Sequence, residues 1–270
     1  MAFGGCGAAL SISNFSTGRC VLRVAAIYDI HGNLPALEAV FREIRAAGVD
    51  LIVVGGDVLP GPMPVETLSF LLDLDRPVEF IRGNGEVAVL AEMAGTQSSS
   101  LPEQARPVVR WTAQQLPPEQ KRVIASWPAT FQVGILGLGS VLFCHATPRN
   151  DSEIFTRLTP DAVLFPVFQG IHAPFVVCGH THMQFDRTAG ETRVVNAGSV
   201  GMPFGEPGAD WLLLGPEVQR RHTSYDFKRA AERIRETKYP QAEDFAAHNV
   251  LEPPAEEEML KLFKGAELKG

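Results

Sequence analysis

Residues 21–33 read VLRVAAIYDIHGN. The run up to Tyr28 is short, apolar and rich in β-formers, and it reads as a strand buried on both faces. Asp29 and His31 stand directly behind it, followed by Gly32 and Asn33. The next stretch, NLPALEAVFREIRAAG, sets Leu34, Leu37, Val40, Phe41 and Ile44 at helical spacing, with Gly48 as its stop. DLIVVGGD is a second buried strand, PVETLSFLLDL a second helix and PVEFIRGN a third strand. This alternation predicts a parallel sheet with right-handed crossovers.

Farther along, residues 86–127 read as helical, broken by AGTQSSSLP and by Pro117–Pro118. After Trp127 the texture changes. TFQVGILGLGSVLFCH holds two apolar runs around a Gly-rich turn, the signature of a hairpin. APFVVCGH, QFDRT, TRVVNAGS and DWLLLG are further short strands, and TAGET is a turn. From Tyr225 the chain is charged and helical, interrupted at Pro240 and Pro253–Pro254. The expected fold class is α/β, with two sheets packed face to face and helices outside. The expected division is a flexible tail over 1–20, one domain over 21–225, and a helical C-terminal extension over 226–270 packed on it.

With 270 residues, 45% hydrophobic and 20% charged, the chain suits one large core. A net charge of −7 argues against a general nucleic-acid surface. No apolar run is long enough to span a bilayer. Residues 1–20 lack the basic start and solid apolar block of a signal peptide. Cys6, Cys20, Cys144 and Cys178 show no CxxC spacing. Cys144 and Cys178 read as buried free thiols, which fits a reducing, cytoplasmic compartment.

Several polar residues fall just behind the predicted strands: Asp29, His31, Asp57, Asn84, His145, His180 and His182. Ligands bind in open α/β sheets beyond the carboxyl ends of the strands, where residues distant in sequence meet. Each residue alone has a plainer reading, as a turn, a helix cap or a core histidine. Together they offer two carboxylates, four imidazoles and one amide oxygen, and glycines flank most of them. That set is too rich for one tetrahedral ion and suits two divalent ions, with one carboxylate bridging. Two such ions clamp the attacking and leaving oxygens of an in-line displacement at phosphorus and supply hydroxide near neutral pH. Ions bringing about +4 against two carboxylates leave the centre positive, so an acidic protein attracts phosphate to this one place.

The ordered set DIHGN, GD, RGN, CHATPR and GHTH resembles the calcineurin-like metallophosphoesterase superfamily, from about Val21 to about Trp211. With NAGSVGMPF it looks more like the compact bacterial phosphoesterase branch than the purple acid phosphatases. The resemblance implies a β-sandwich flanked by helices. It implies that Asp29, His31 and His182 hold one ion, that Asn84, His145 and His180 hold the other, and that Asp57 bridges them. Manganese is the first expectation among Mn, Fe, Zn, Ni and Co, all of which suit mixed N/O donors.

One departure matters. The family often places a histidine after GN to protonate the leaving oxygen, and this chain reads GNGE, with Gly85 there and Glu86 next. General acid catalysis is worth ~10²–10⁴ in rate. A centre without it favours phosphodiesters or anhydrides with good leaving groups. Glu86 is a candidate replacement acid, and its plain reading is a first-turn glutamate favoured by the helix dipole. Asn84 and His145 are the other candidate catalytic residues.

Arg82 and Arg149 are candidate phosphate contacts, since a guanidinium fork suits phosphate oxygens. Their plain readings are solvated loop arginines, with Asp151 a partner for Arg149. Asn33 is a candidate substrate contact or a helix N-cap. Asn196, Gly198 and Ser199 read as a turn supporting the site. His172 and His222 read as structural or exposed, and Phe165, Phe168 and Phe175 as core. The run Glu256–Glu258 caps the last helix. The expected function is phosphodiester hydrolysis of a small phosphorylated substrate by a metal-bound hydroxide. Phosphomonoester or phosphoprotein hydrolysis is one alternative, and a non-catalytic scaffold on the same fold is another. A homodimer is a reasonable expectation.

Overall fold

The computed structural model describes residues 22–96 and 102–268. The tail expected over residues 1–20, with Cys6 and Cys20, lies outside the described residues. The first half alternates as expected: β1 (Val24–Ile27), α1 (Leu34–Ala47), β2 (Leu51–Val54), α2 (Pro64–Leu72) and β3 (Val78–Phe80). β1 pairs parallel with β2, and β2 with β3. Gly48 closes α1 in the left-handed conformation at φ 61°. Three helices follow: α3 (Asn84–Met93), α4 (Arg106–Gln115) and α5 (Pro118–Ala125).

β4 (Thr130–Ile135) and β5 (Gly139–Cys144) form the expected hairpin. Then come α6 (Asp161–Phe168), β6 (Phe175–Cys178), β7 (Phe185–Ala189), β8 (Thr192–Asn196), β9 (Ala209–Leu214) and β10 (Val218–Thr223). One sheet runs β10-β9-β1-β2-β3 and the other β4-β5-β6-β8-β7. Both are mixed. β1, β2 and β3 are parallel in the first, β5, β6 and β8 in the second, and the outer strands run antiparallel.

Period-two alternation decides what each strand residue touches. In β1, Val24 and Ala26, with Tyr28 beyond its end, join Leu51, Val53, Val141, Phe143, Val177 and Val195 in the core between the sheets. Ala25 and Ile27 instead face the helical layer, where Leu37, Val40 and Ile44 of α1 meet them. That is why the run lacks polar alternation. On the far side of the second sheet, Cys144, Val176 and Cys178 pack against α6. Both cysteines are buried and free.

Three features differ from expectation. The sequence texture did not mark β10 as a strand. VQRRHT is an edge strand with two arginines and a mostly exposed face, so it lacks an apolar signal. The pattern did not mark α6 either, because Pro166 interrupts it. Phe165 is a correction: it is 47% exposed. Leu164, Val167 and Phe168 form the buried stripe of α6, and Phe165 sits one position off it.

The last part holds α7 (Phe227–Arg235), α8 (Ala242–Phe245) and α9 (Glu256–Phe263). α8 runs on into a π-helical turn over Ala246–Leu251. Arg233 of α7 pairs with Glu38 of α1 at 2.7 Å. Gly205 N–H donates to Pro254 O at 2.9 Å, and Leu268 N–H to Ile154 O at 2.8 Å. Glu256–Glu258 occupy the first turn of α9, and Glu256 also pairs with Arg157. No helix among the described residues is long and apolar enough to cross a membrane.

Candidate metal centre

All seven candidate donors leave the carboxyl ends of strands from both sheets. Asp29 and His31 follow β1, Asp57 follows β2, and Asn84 opens α3 after β3. His145 follows β5, and His180 and His182 follow β6. Backbone hydrogen bonds zip these loops together. Asp29 N–H donates to Gly56 O, His31 N–H to Asp57 O and Gly179 N–H to His145 O, at 2.8–3.1 Å.

The donors form two groups. Ligand atoms of Asp29, His31 and His182 lie within 4.8 Å of one another, as do those of Asp57, His145 and His180. Asn84 Oδ1 is 3.0 Å from His145 Nε2, beside the second group. Asp57 faces both: Oδ1 is 3.4 Å from His145 Nε2, and Oδ2 is 3.8 Å from His31 Nε2. A carboxylate so placed suits a bridge.

The histidine tautomers point the same way. Nδ1 of His31, His145 and His182 meets the carbonyl oxygens of Pro60, Gly55 and Met202 at 3.3, 3.0 and 2.9 Å. A carbonyl only accepts, so Nδ1 carries a proton in each ring, and a neutral ring offers its Nε2 lone pair to the centre. His31 Nε2 and His182 Nε2 face each other at 3.2 Å. Asp29 Oδ1 is buried with no hydrogen-bond partner, 3.4 Å from His182 Nε2. Converging lone pairs and an orphaned buried oxygen are costly unless a cation lies among them. The residues therefore fit divalent ions.

Electrostatics reflect this crowding. Burial alone would lower the His145 pKa, but Asp57 and Asp29 outweigh it and raise it to about 10. Burial and the neighbouring His145 push His180 down to about 4. Burial opposes ionisation of Asp57, yet His145, His31 and His180 hold its pKa below the ordinary carboxylate value.

The backbone is bent to aim these groups. Six non-glycine residues have positive φ among the described residues, and five are Asp29, His31, Asp57, His180 and His182, at 47–67°. The left-handed region is uncommon for side-chain-bearing residues, though Asp and His are enriched there. Such clusters mark sites where the fold over-determines the chain. Glycines leave room for it. A Cβ on Gly83 would lie 2.2 Å from Asp57 Oδ1, and one on Gly179 would lie 2.4 Å from Asp29 Oδ2.

Asn33 is corrected. It is 0% exposed, its Oδ1 accepts Ala36 N–H as the N-cap of α1, and its amide donates to Gly201 O. No face of it is left for substrate. Glu86 is also withdrawn from the cavity. It is 0% exposed, and its oxygens accept the N–H groups of Asp57, Leu59 and Gly83 at 2.8–3.0 Å. Burial and the Asp57 charge push its pKa up to about 8, while the backbone donors pull it down. Its role is to hold the two loops.

Arg82 and Arg149 line one cleft of about 240 Å³ together with His145. The partner of Arg149 is Glu153, at 2.6 Å, rather than Asp151. Ser199 and Asn196 brace the centre from behind. Ser199 Oγ donates to Asp29 O and accepts Met202 N–H, and the Asn196 amide donates to Gly179 O. His222 pairs with Asp210 away from the centre, and His172 is exposed. Sequence reasoning missed the carbonyls of Gly55, Pro60 and Met202, because a backbone acceptor carries no side-chain signal. It also missed Phe204, which stacks on His182 at 5.4 Å.

Residues 22–215 match the calcineurin-like phosphoesterase superfamily domain. The chain belongs to that superfamily. As a calcineurin-like phosphoesterase it is a metal-dependent hydrolase of phosphate esters. It is similar to an uncharacterized protein of Methanocaldococcus jannaschii, 27% identical over 238 residues, covering 81% of this chain and 94% of the relative. A metallophosphoesterase from Sphaerobacter thermophilus superimposes with a TM-score of 0.67 at 26% identity, covering 85% of this chain and all of that one. A hypothetical protein from Pyrococcus horikoshii, 20% identical, shares the fold with a TM-score of 0.70 over 87% of this chain and 100% of its own.

Metal removal should be visible without any substrate. Stripping with a chelator is expected to lower the melting temperature, and adding Mn²⁺ at 100 times its dissociation constant restores about 2.7 kcal/mol. Uptake should weaken as pH falls, because imidazoles must give up protons to bind an ion. Scanning calorimetry with and without metal checks this, and an unchanged melting temperature at saturating Mn²⁺ argues against the centre.

Proposed function

We propose that this calcineurin-like phosphoesterase is a phosphodiesterase with a dinuclear centre. Asp29, His31 and His182 would hold one ion, Asn84, His145 and His180 the other, and Asp57 both. When bound, such ions activate water and stabilise the attacking and leaving oxygens of a displacement at phosphorus. The protein's own part is to place the donors and fix their orientation through the carbonyls of Gly55, Pro60 and Met202.

The observation that carries the diester reading is Gly85. The position has no side chain and no space for one: a Cβ there would lie 2.0 Å from Leu59 O. Gly85 N–H instead donates to Asp57 Oδ1 at 2.7 Å. Glu86, the next candidate acid, is tied to the backbone on both oxygens. With no positioned proton donor there, esters whose leaving group needs little protonation are favoured, and activated diesters are the direct case.

Arg82 and Arg149 support a second reading, phosphomonoester hydrolysis, because two guanidinium groups suit a dianionic phosphate. Metal-stripped protein reloaded singly with Mn²⁺, Zn²⁺, Fe²⁺, Ni²⁺ or Co²⁺ separates the two. Bis-p-nitrophenyl phosphate should turn over with a higher kcat/KM than p-nitrophenyl phosphate. A monoester preference with every ion would replace the diesterase reading with the phosphatase one.

A further inference from the structure

A second cleft, of about 320 Å³, opens beside His31 and shares no lining residue with the Arg82 cleft. This volume lies at the small end of the range for ligand pockets, ~300–1,000 Å³. His31, Pro60 and Met202 line it from the metal-centre side. Met202 is also the residue whose carbonyl fixes His182. Residues beyond 225 supply much of the rest of the lining: Tyr239, Gln241, Asp244, Phe245 and Asn249. All five lie beyond the segment that matches the superfamily, residues 22–215. Gln104 and Val108 close the remaining side, and the Gln241 amide donates to Gln104 O at 3.4 Å.

The chemistry of this wall differs from the arginine cleft. No lysine or arginine lines it among the described residues, and Asp244 adds a negative charge. A second phosphate is therefore disfavoured there. The apolar groups are a methionine, two prolines, an alanine, a valine and two aromatic rings, with Tyr239 edge-on to Phe245 at 6.1 Å. The polar groups are amides and a hydroxyl, which both donate and accept. Tyr239 is 8% exposed, and its hydroxyl makes no hydrogen bond among the described residues but is not one of their buried unpartnered atoms, so it stays open to solvent. The Asn249 side chain also makes no hydrogen bond among them, and Asn249 sits in the π-helical turn Ala246–Leu251. Such widened turns cost regular helix geometry and recur at functional sites.

We propose that this cleft is a specificity pocket for a nucleoside-like group of the ester: a flat, uncharged ring system with both donors and acceptors. The C-terminal extension thereby selects the substrate while the metal centre cleaves it. Apolar surface takes the faces of the ring, and the Tyr239 hydroxyl and Asn249 amide read its edge. This inference rests on the diesterase reading for the reaction, but not for binding.

The test compares the p-nitrophenyl ester of thymidine 5′-phosphate with methyl p-nitrophenyl phosphate, which has the same leaving group. Wild-type protein should prefer the nucleoside ester at least tenfold in kcat/KM. Asn249→Ala and Tyr239→Phe should each reduce that ratio by about fivefold, the scale of one lost hydrogen bond. Calorimetric titration of thymidine 5′-phosphate against inorganic phosphate gives a readout independent of turnover. The variants should weaken the nucleotide more than the inorganic ion. Equal use of both esters, or equal losses on both in the variants, overturns the pocket and leaves the diesterase intact. Selective loss of nucleotide binding with no diester turnover supports the pocket and overturns the diesterase.

Discussion

Asp57→Ala abolishes phosphate-ester turnover with every metal and leaves the protein unable to hold two ions. The expectation rests on position. Asp57 turns its two oxygens toward different donor groups, Oδ1 to His145 at 3.4 Å and Oδ2 to His31 at 3.8 Å. Its Oδ1 also takes the Gly85 N–H. Removing a residue that merely supports a ligand costs ~10–100-fold in activity or affinity, so losing the shared donor should exceed that. Metal analysis of the reloaded variant should find fewer than two ions per chain. A second readout needs no metal. Asp57 leads the interactions that raise His145 to about 10, so the His145 titration in stripped Asp57→Ala protein should move down. Full turnover with two ions bound in the variant would falsify the bridging assignment.

Gly85→His does not restore the missing acid; it lowers stability and activity together. A β-carbon at that position meets Leu59 O at 2.0 Å and Asp57 Oδ1 at 2.9 Å. The first neighbour is backbone and cannot swing aside as a side chain would. Overpacking of this kind typically costs about 1–3 kcal/mol, which in a chain of this size shifts the melting temperature by roughly 2–10 °C. The displaced loop carries Asp57, so the ions should bind more weakly as well. Calorimetry and the diester-to-monoester ratio report on the two effects separately. A Gly85→His protein with the wild-type melting temperature and increased monoester turnover would show that the space exists.

Much of the centre could be read from the chain because its chemistry is local. Asp29, His31, Asp57, His180 and His182 each follow an apolar run and a tight bend, and those signals need no tertiary knowledge. The parallel β1–β2–β3 unit was legible for the same reason. What could not be read depends on neighbours far away in sequence. Glu86 looks like an accessible first-turn acid until the Asp57 and Leu59 amides close over it. Asn33 offers the same atoms to a substrate or a helix, and Gly201, 168 residues on, decides between them. β10 carries arginines on an edge strand and so gives no apolar alternation. The pocket wall at Tyr239 and Asn249 was hidden because charged helical sequence does not say which element it lies against.

The left-handed backbone at five donors sets two demands against each other. Each of those residues costs roughly 1 kcal/mol or more in a conformation that glycine adopts freely. Glycine at any of them would relax the loop and leave an ion short of one donor. Selection for a longer-lived fold and selection for catalysis therefore push these positions in opposite directions. A descendant released from catalysis would be expected to drift first at these five residues, gaining stability as it loses the centre.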